Sequence, residues 1–454
     1  MKQLPASYRD PSGFVFMDGG VLKRQINPVF FEEYDAAVNS GIYEKLFKKG
    51  WLIQHQEESR DEEKIILVPE QIPFINYPYE WCFTQYQHAA QLTLRLQMFL
   101  LERGFSLKDA SAFNITFHKG KPVFIDTLSI ERYKENEPWR ALQQFEQHFF
   151  GVLLLAEKRG ARYLKTLSHQ INGVDLKETA KLLSWKTRFH PVIYPNIHLM
   201  AKNDSGQSSS SPAKSPEISK ESQLKILKVL EMHIAGMSLA ESTEWTSYYN
   251  QTNYDQTSFQ KKKELIQQWS NQLNVKTAID LGGNDGTFAR ELTATIEQVI
   301  VSDIDQAAID HCYQTELESS HNRVLPLVID LMQPSPAIGF GNEERESFTD
   351  RIIKLQPELS LALALIHHIT LTGNVPFEMS AAYFAQISEY LIIEFPDRED
   401  SWVQFILDSK RDARHLFENY GLSAFAKAYS KHYHFDKEQK IEGTHRTLFL
   451  MRRK

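Results

Sequence analysis

The stretch Ala278-Ile279-Asp280-Leu281-Gly282-Gly283-Asn284-Asp285-Gly286-Thr287-Phe288 constrains this chain more than any other. An apolar run ends in a glycine-rich turn, and a helical pattern opens directly after it. Gly282 and Gly286 permit a tight turn and a close backbone approach to a ligand. A helix beginning near Gly286 offers free N–H groups at its first turn. The next apolar run ends at Asp303, 23 residues past Asp280. A carboxylate there can accept hydrogen bonds from both hydroxyls of a ribose. A third run ends in Val328-Ile329-Asp330, where a carboxylate can face an adenine amino group. All three acids fall at C-terminal strand ends, the edge at which open α/β sheets bind ligands.

Apolar runs at 277–281, 298–302, 324–329, 361–366 and 390–393 alternate with helical stretches. That alternation predicts a parallel, doubly wound α/β sheet. Two final strand candidates, 425–435 and 447–451, have no helix between them and suit an antiparallel pair at the sheet edge. Residues 223–273 read as a helical cap ahead of the first strand. Trp245, Tyr248, Tyr249 and Tyr254 pack that cap or cover the ligand.

The pattern Asp280-Leu281-Gly282-x-Asn284-x-Gly286 resembles motif I of the class I S-adenosylmethionine-dependent methyltransferases. A dinucleotide fingerprint is the competing reading, but it asks for a third glycine where Thr287 stands. The resemblance implies a Rossmann-like sheet with an antiparallel terminal strand pair, and S-adenosyl-L-methionine as cofactor. It assigns Asp280, Gly282, Asn284 and Gly286 to the turn that holds the cofactor, Asp303 to its ribose and Asp330 to its adenine side. More narrowly, Pro78-Tyr79-Glu80-Trp81, Leu107-Lys108-Asp109-Ala110, Phe124-Ile125-Asp126-Thr127-Leu128-Ser129 and Ala364-Leu365-Ile366-His367-His368 resemble a family of bacterial proteins related to a rhizobial host-specific nodulation protein.

Methyl transfer asks mainly for positioning. A base is needed only where the acceptor loses a proton. The fourth strand runs into His367 and His368, whose imidazoles titrate near neutrality. They point in different directions, so at most one serves as base; a histidine bonded to a neighbouring loop is the bland alternative. The segment 333–356, with its glycines, Asn342 and Arg345, reads as a substrate loop or a plain solvated one. Glu394, after the fifth strand, meets a substrate or, less favourably, a metal.

The first half is mixed α+β. Phe14-Val15-Phe16 and Val21–Ile26 flank Asp18-Gly19-Gly20, a hairpin signal. A helix is predicted over 84–103, ending at Gly104, and a second hairpin turns at 118–121. Asp109 and Asn114 lie five apart before that hairpin, and Asp126 follows it. This order resembles the catalytic lobe of protein and aminoglycoside kinases. The resemblance implies Asp109 as base, with Asn114 and Asp126 as ligands of ATP-bound Mg²⁺. No H-R-D, D-F-G or glycine-rich loop accompanies it. Lys23 is the best lysine candidate, without an assignable glutamate.

Residues 202–222, rich in Ser, Pro and Lys, read as a flexible linker. The expectation is therefore a kinase-like α+β domain over 1–201, the linker, and a methyltransferase domain over 223–454. The net charge of −7 gives no excess of the kind a sequence-independent nucleic-acid binder carries. A small-molecule or glycan acceptor suits it better. Two distant cysteines, no apolar leader and no run near the ~20 residues that span a bilayer point to a cytoplasmic protein. The rival readings are an ATP-dependent phosphotransferase acting through Asp109, Asn114 and Asp126, and an adaptor that binds S-adenosylmethionine without turnover.

Overall fold

The computed structural model describes residues 2–203, 217–239, 256–319 and 321–454. The chain forms two compact units. One comprises Met1–Glu241 and Pro336–Glu346, the other Ser242–Ser335 and Ser347–Lys454.

The first unit opens with a five-stranded antiparallel sheet in the order β1-β2-β3-β5-β4. Its strands are β1 (Lys2–Gln3), β2 (Gly13–Asp18), β3 (Val21–Ile26), β4 (His55–Arg60) and β5 (Ile65–Pro69). Gly19 and Gly20 join β2 to β3, both at positive φ, the backbone a two-residue hairpin requires. Helices Phe31–Asn39 and Ile42–Lys49 lie between β3 and β4. Helix Phe83–Leu101 follows and buries Leu92, Leu94, Leu96 and Leu100. The chain leaves it through Gly104 at φ +81°, so the predicted helix stands. Then β6 (Phe105–Leu107) pairs with β9 (Ile130–Arg132), around the hairpin of β7 (Ile115–His118) and β8 (Lys121–Phe124).

Two expectations about boundaries are corrected. Helix Lys220–Ala235 belongs to the first unit, not to a cap of the second. It lies on Phe83–Leu101, burying Leu227, Leu230 and Ile234. Arg95 pairs with the buried Glu231 at 2.8 Å, and the Gln87 amide donates to the Ile234 carbonyl at 2.7 Å. The expected linker is helical at 202–203 and again from Lys220; its centre, 204–216, and the aromatic group Trp245 to Tyr254 lie outside the described residues. The supposed substrate loop also divides. Pro336–Glu346 joins the first unit, where the Glu344 carboxylate accepts from Arg9 at 2.8 and 2.9 Å, from the Tyr8 hydroxyl and from the Phe340 N–H.

The second unit holds a seven-stranded sheet in the order β12-β11-β10-β13-β14-β16-β15. Its strands are β10 (Thr277–Leu281), β11 (Gln298–Asp303), β12 (Val324–Val328), β13 (Leu359–Ala362), β14 (Tyr390–Pro396), β15 (Tyr433–Ile441) and β16 (Arg446–Arg453). The first five are parallel; β16 runs antiparallel to β14 and β15. Val, Ile and Leu dominate the central strands because helices cover both faces. The fourth strand stops at Ala362, not 366, since Ala364 takes a left-handed φ of +50°. Residues 425–429, expected as strand, belong to helix Leu422–Tyr429. Phe425, Ala428 and Tyr429 repeat at i, i+3 and i+4, a helical period. The strand order reverses between β10 and β13, which makes the switch-point crevice of the sheet.

The packing of Lys220–Ala235 is testable. Leu230→Ala, at a fully buried position, is expected to cost about 2–5 kcal/mol in the urea-unfolding transition of the first unit.

Candidate functional site

The second unit encloses a cavity of about 390 Å³ above the β10 turn. Asp280, Gly282, Asn284, Asp303 and Asp330 all line it. The three carboxylates expected to converge therefore do so. Gly282 and Gly286 have φ of +71° and +75°. A side chain at Gly286 would stand 2.5 Å from the Cys312 Sγ, so both the turn and the close packing require glycine. Asn284 takes φ +50°, a conformation its short amide tolerates. Its N–H donates to Asp303 Oδ2 at 2.9 Å, and the Asp305 N–H donates to Oδ1 at 2.8 Å. Burial nonetheless pushes the Asp303 pKa up to about 6. Asp330 accepts from the Met332 N–H at 2.9 Å.

Asp280 is 1% exposed, and neither carboxylate oxygen has a hydrogen-bond partner among the described residues. Burial raises its pKa to about 7, and the nearby Lys262 ammonium opposes that rise. Lys262 also lines the cavity. Its Nζ lies 2.6 Å from Glu394 Oε2 and 4.5 Å from the Phe288 ring centre. Arg446 stands 3.6 Å from Glu394 and 2.7 Å from Asp400. All four of these charged side chains are buried. Glu394, expected to meet a substrate or metal, is thus engaged in an internal ion network. Among the described residues no group of three His, Cys, Asp or Glu is placed to hold a metal.

The two histidines differ in placement. His368 lines the cavity; His367 is fully buried and does not. Neither ends a strand. His368 opens a wide helical turn, His368–Thr372, with His367 as its N-cap. Their ring centres are 4.2 Å apart. Burial and the Arg446 charge hold the His368 pKa near 4, so its imidazole is neutral at physiological pH.

Sequence reading missed Lys262, Phe288 and the Arg446–Asp400 pair. Lys262 carried a usable signal. It shares the buried face of helix Gln256–Leu273 with Ile266 and Trp269, at i, i+4 and i+7. A lysine on an apolar stripe needs a buried partner. Arg446 and Asp400 lie 46 residues apart, and nothing local marks them.

In the first unit, Asp109 lies after β6, Asn114 immediately before β7 and Asp126 after β8. Burial and the proximity of Asp126 raise the Asp109 pKa. These residues do not fit ATP-bound Mg²⁺. Asp126 Oδ1 is 2.6 Å from Arg24 Nη1, and its Oδ2 accepts from the Ser129 hydroxyl. A metal ligand with both oxygens so engaged would first have to lose an ion pair. Lys23 is not the cation facing this group: it pairs with Asp18 at 3.0 Å and Glu58 at 2.8 Å.

The strand order with its reversed terminal pair, and the acidic crevice over the β10 turn, define an S-adenosylmethionine-dependent methyltransferase of Rossmann-like fold. Nodulation protein NoeA of Rhizobium meliloti (strain 1021) is 30% identical over 466 residues, spanning 99% of this chain and 96% of that protein. The chain belongs to the NoeA family. No family model matches it. Similar solved structures include the N-methyltransferase NodS from Bradyrhizobium japonicum WM9, with 12% identity, 44% of this chain and 98% of that one covered, and a TM-score of 0.32. The bifunctional kinase-methyltransferase WbdD gives 15% identity, 49% and 46% coverage, and a TM-score of 0.29.

Replacing the turn glycine tests the geometry. Gly286→Ala adds a methyl group at positive φ against Cys312 and is expected to destabilise the second unit by about 1–3 kcal/mol, read from its thermal unfolding.

Proposed function

We propose that this chain transfers a methyl group from S-adenosylmethionine to an oxygen or nitrogen atom of a small-molecule or glycan acceptor. The convergence of Asp280, Asp303 and Asp330 on one cavity beside the Gly282–Gly286 turn carries the reading. Asp303 receives the ribose hydroxyls, and Asp330 faces the adenine. When bound, the cofactor supplies an electrophilic methyl on a cationic sulfonium. The acidic lining favours that charge, and the half-enclosed cavity holds the acceptor in line.

His368 is the base of this reading. Its neutral imidazole lines the cavity and takes the acceptor's proton as the acceptor lone pair forms the new bond to carbon. Bound S-adenosylmethionine would supply the methyl group, its sulfur keeping the electrons of the carbon–sulfur bond. His367, buried away from the cavity, is structural. We read the first unit as a kinase-like scaffold that recruits the acceptor. The Arg24–Asp126 ion pair favours recruitment over phosphoryl transfer.

Calorimetry of the whole protein against S-adenosylmethionine, NAD and ATP–Mg²⁺ tests this, with binding expected for the first alone. Asp303→Ala is expected to abolish it; NAD binding in its place overturns the reading. His368→Ala is expected to lower turnover about 10²- to 10⁴-fold while leaving cofactor affinity unchanged. Binding without turnover on any acceptor would favour the adaptor. Cofactor affinity should also fall as the pH drops from 8 to 5. Asp280 and Asp303, with pKa values raised to about 7 and about 6, take up protons across that window and lose the charge that attracts the sulfonium.

A further inference from the structure

The chain carries more acids than bases, 58 against 51, yet the stretch from Lys158 to Lys202 reverses that balance. It holds nine lysines and arginines and only two acids, Asp175 and Glu178. The same stretch exposes aromatic rings. Trp185 and Phe189 open and close a short 3₁₀ helix and are 66% and 78% exposed. Their rings meet edge to face at 5.8 Å. Lys186 and Arg188 lie between them in the chain and are exposed, as is Lys181 shortly before. Among the described residues no carboxylate pairs with these three cations. The exposed Arg159 joins them, its guanidinium donating to the Leu182 carbonyl at 2.6 Å. Thr187 is bonded to His198 at 2.8 Å. Burial, then the charges of Arg188 and Lys202, hold His198 below its ordinary pKa. The next residue, Leu199, is exposed. His190 packs its ring on His233 of helix Lys220–Ala235 at 4.9 Å. His233 shares a helix face with Ile226 and Val229, at i, i+3 and i+7, and both of those side chains are exposed. The nearest acid to that junction, Glu157, is paired with Lys158 at 2.8 Å.

We propose that this face docks the first unit on the surface of an anionic lipid bilayer, with Trp185 and Phe189 entering the headgroup boundary and Lys181, Lys186 and Arg188 meeting lipid phosphates. Two independent features support it. Exposed rings lose contact with water when they enter the boundary, and an indole suits the headgroup level because its body is apolar and its N–H polar. The unpaired cations beside them add an attraction that extends over a Debye length. Neither apolar insertion nor charge alone anchors a protein firmly; together they do. The aliphatic members of the face favour lipid over nucleic acid. Leu199, Ile226 and Val229 offer a base no ring to stack on, whereas acyl chains accept them. The docking is peripheral, since no described helix is long and apolar enough to cross a membrane.

The test is flotation of the full chain with two kinds of vesicle, phosphatidylcholine alone and phosphatidylcholine mixed equally with phosphatidylglycerol. Binding is expected to the second kind only, and should weaken as salt rises from about 0.05 to about 0.5 M. Lys186→Gln with Arg188→Gln should weaken it about 30-fold, roughly fivefold for each cation. Trp185→Ser with Phe189→Ser should weaken it about tenfold or more. All four positions are at the surface, and an unchanged thermal midpoint shows that each variant folds. Should one fail to fold, the lipid dependence of the wild type decides. Absent binding, equal binding to both vesicles, or binding that neither variant weakens overturns the proposal. Without vesicle binding, a dimer that the serine variant converts to a monomer gives the face to a second copy of the chain. Without vesicle binding, capture of a single-stranded oligonucleotide that the glutamine variant abolishes gives it to nucleic acid. Either result also overturns the docking on lipid.

Discussion

The second unit is organised around one buried charge. Asp280 sits at the end of the central strand with parallel neighbours on both sides, where a carboxylate is expensive to bury. The surroundings reduce that cost without closing the site. Lys262 approaches from the preceding helix, and Glu394 and Arg446 hold it in place. Gly283 leaves the space above the carboxylate empty. The turn is glycine-rich for the same reason: each missing side chain at 282, 283 or 286 is one that would meet Leu365, Asp280 or Cys312. The crevice exists because the strand order reverses beside this strand, and the neighbouring strands bring Asp303 and Asp330 to the same edge.

What could be read from the sequence was what local chemistry specifies. A strand, a glycine turn and acids at successive strand ends are local patterns, and the three carboxylates fell where those patterns put them. Failures came where the deciding contact was distant or a period was misread. Lys220–Ala235 is amphipathic and fits either unit by pattern; its docking on Phe83–Leu101 is a tertiary choice. Residues 425–429 fall at the start of an expected strand, although their apolar spacing is helical. The Arg446–Asp400–Glu394 network joins residues from separate elements. The histidine pair was half legible. That at most one would serve followed from their adjacency, but which of them lines the cavity is a matter of tertiary burial.

Strand parity explains the error in the first unit. Lys23 and Arg24 are adjacent on β3, so their side chains leave opposite faces of the sheet. Choosing the lysine by residue type selected the face carrying Asp18 and Glu58. The cation that reaches Asp126 is Arg24. Asp109, Asn114 and Asp126 flank the β7–β8 hairpin in the expected order, yet Asp126 is engaged by a guanidinium.

The same accounting of charge separates the possible ligands of the second unit. Three carboxylates and one ammonium line the cavity, and the layer behind adds Glu394 and Asp400 against Arg446. Acids outnumber bases in both layers. A dinucleotide would bring a doubly anionic pyrophosphate to the turn above Asp280, and the first turn of helix Thr287–Leu292 would have to outweigh that repulsion. Asp285 already accepts from the Thr287 N–H at 3.0 Å, which removes one of the donors such an anion needs. A sulfonium with an amino-acid tail brings two positive charges and one negative. Its net positive charge suits a cavity in which acids outnumber bases. The arrangement of charge, more than the glycine pattern shared by both classes, favours a methyl donor over a dinucleotide here.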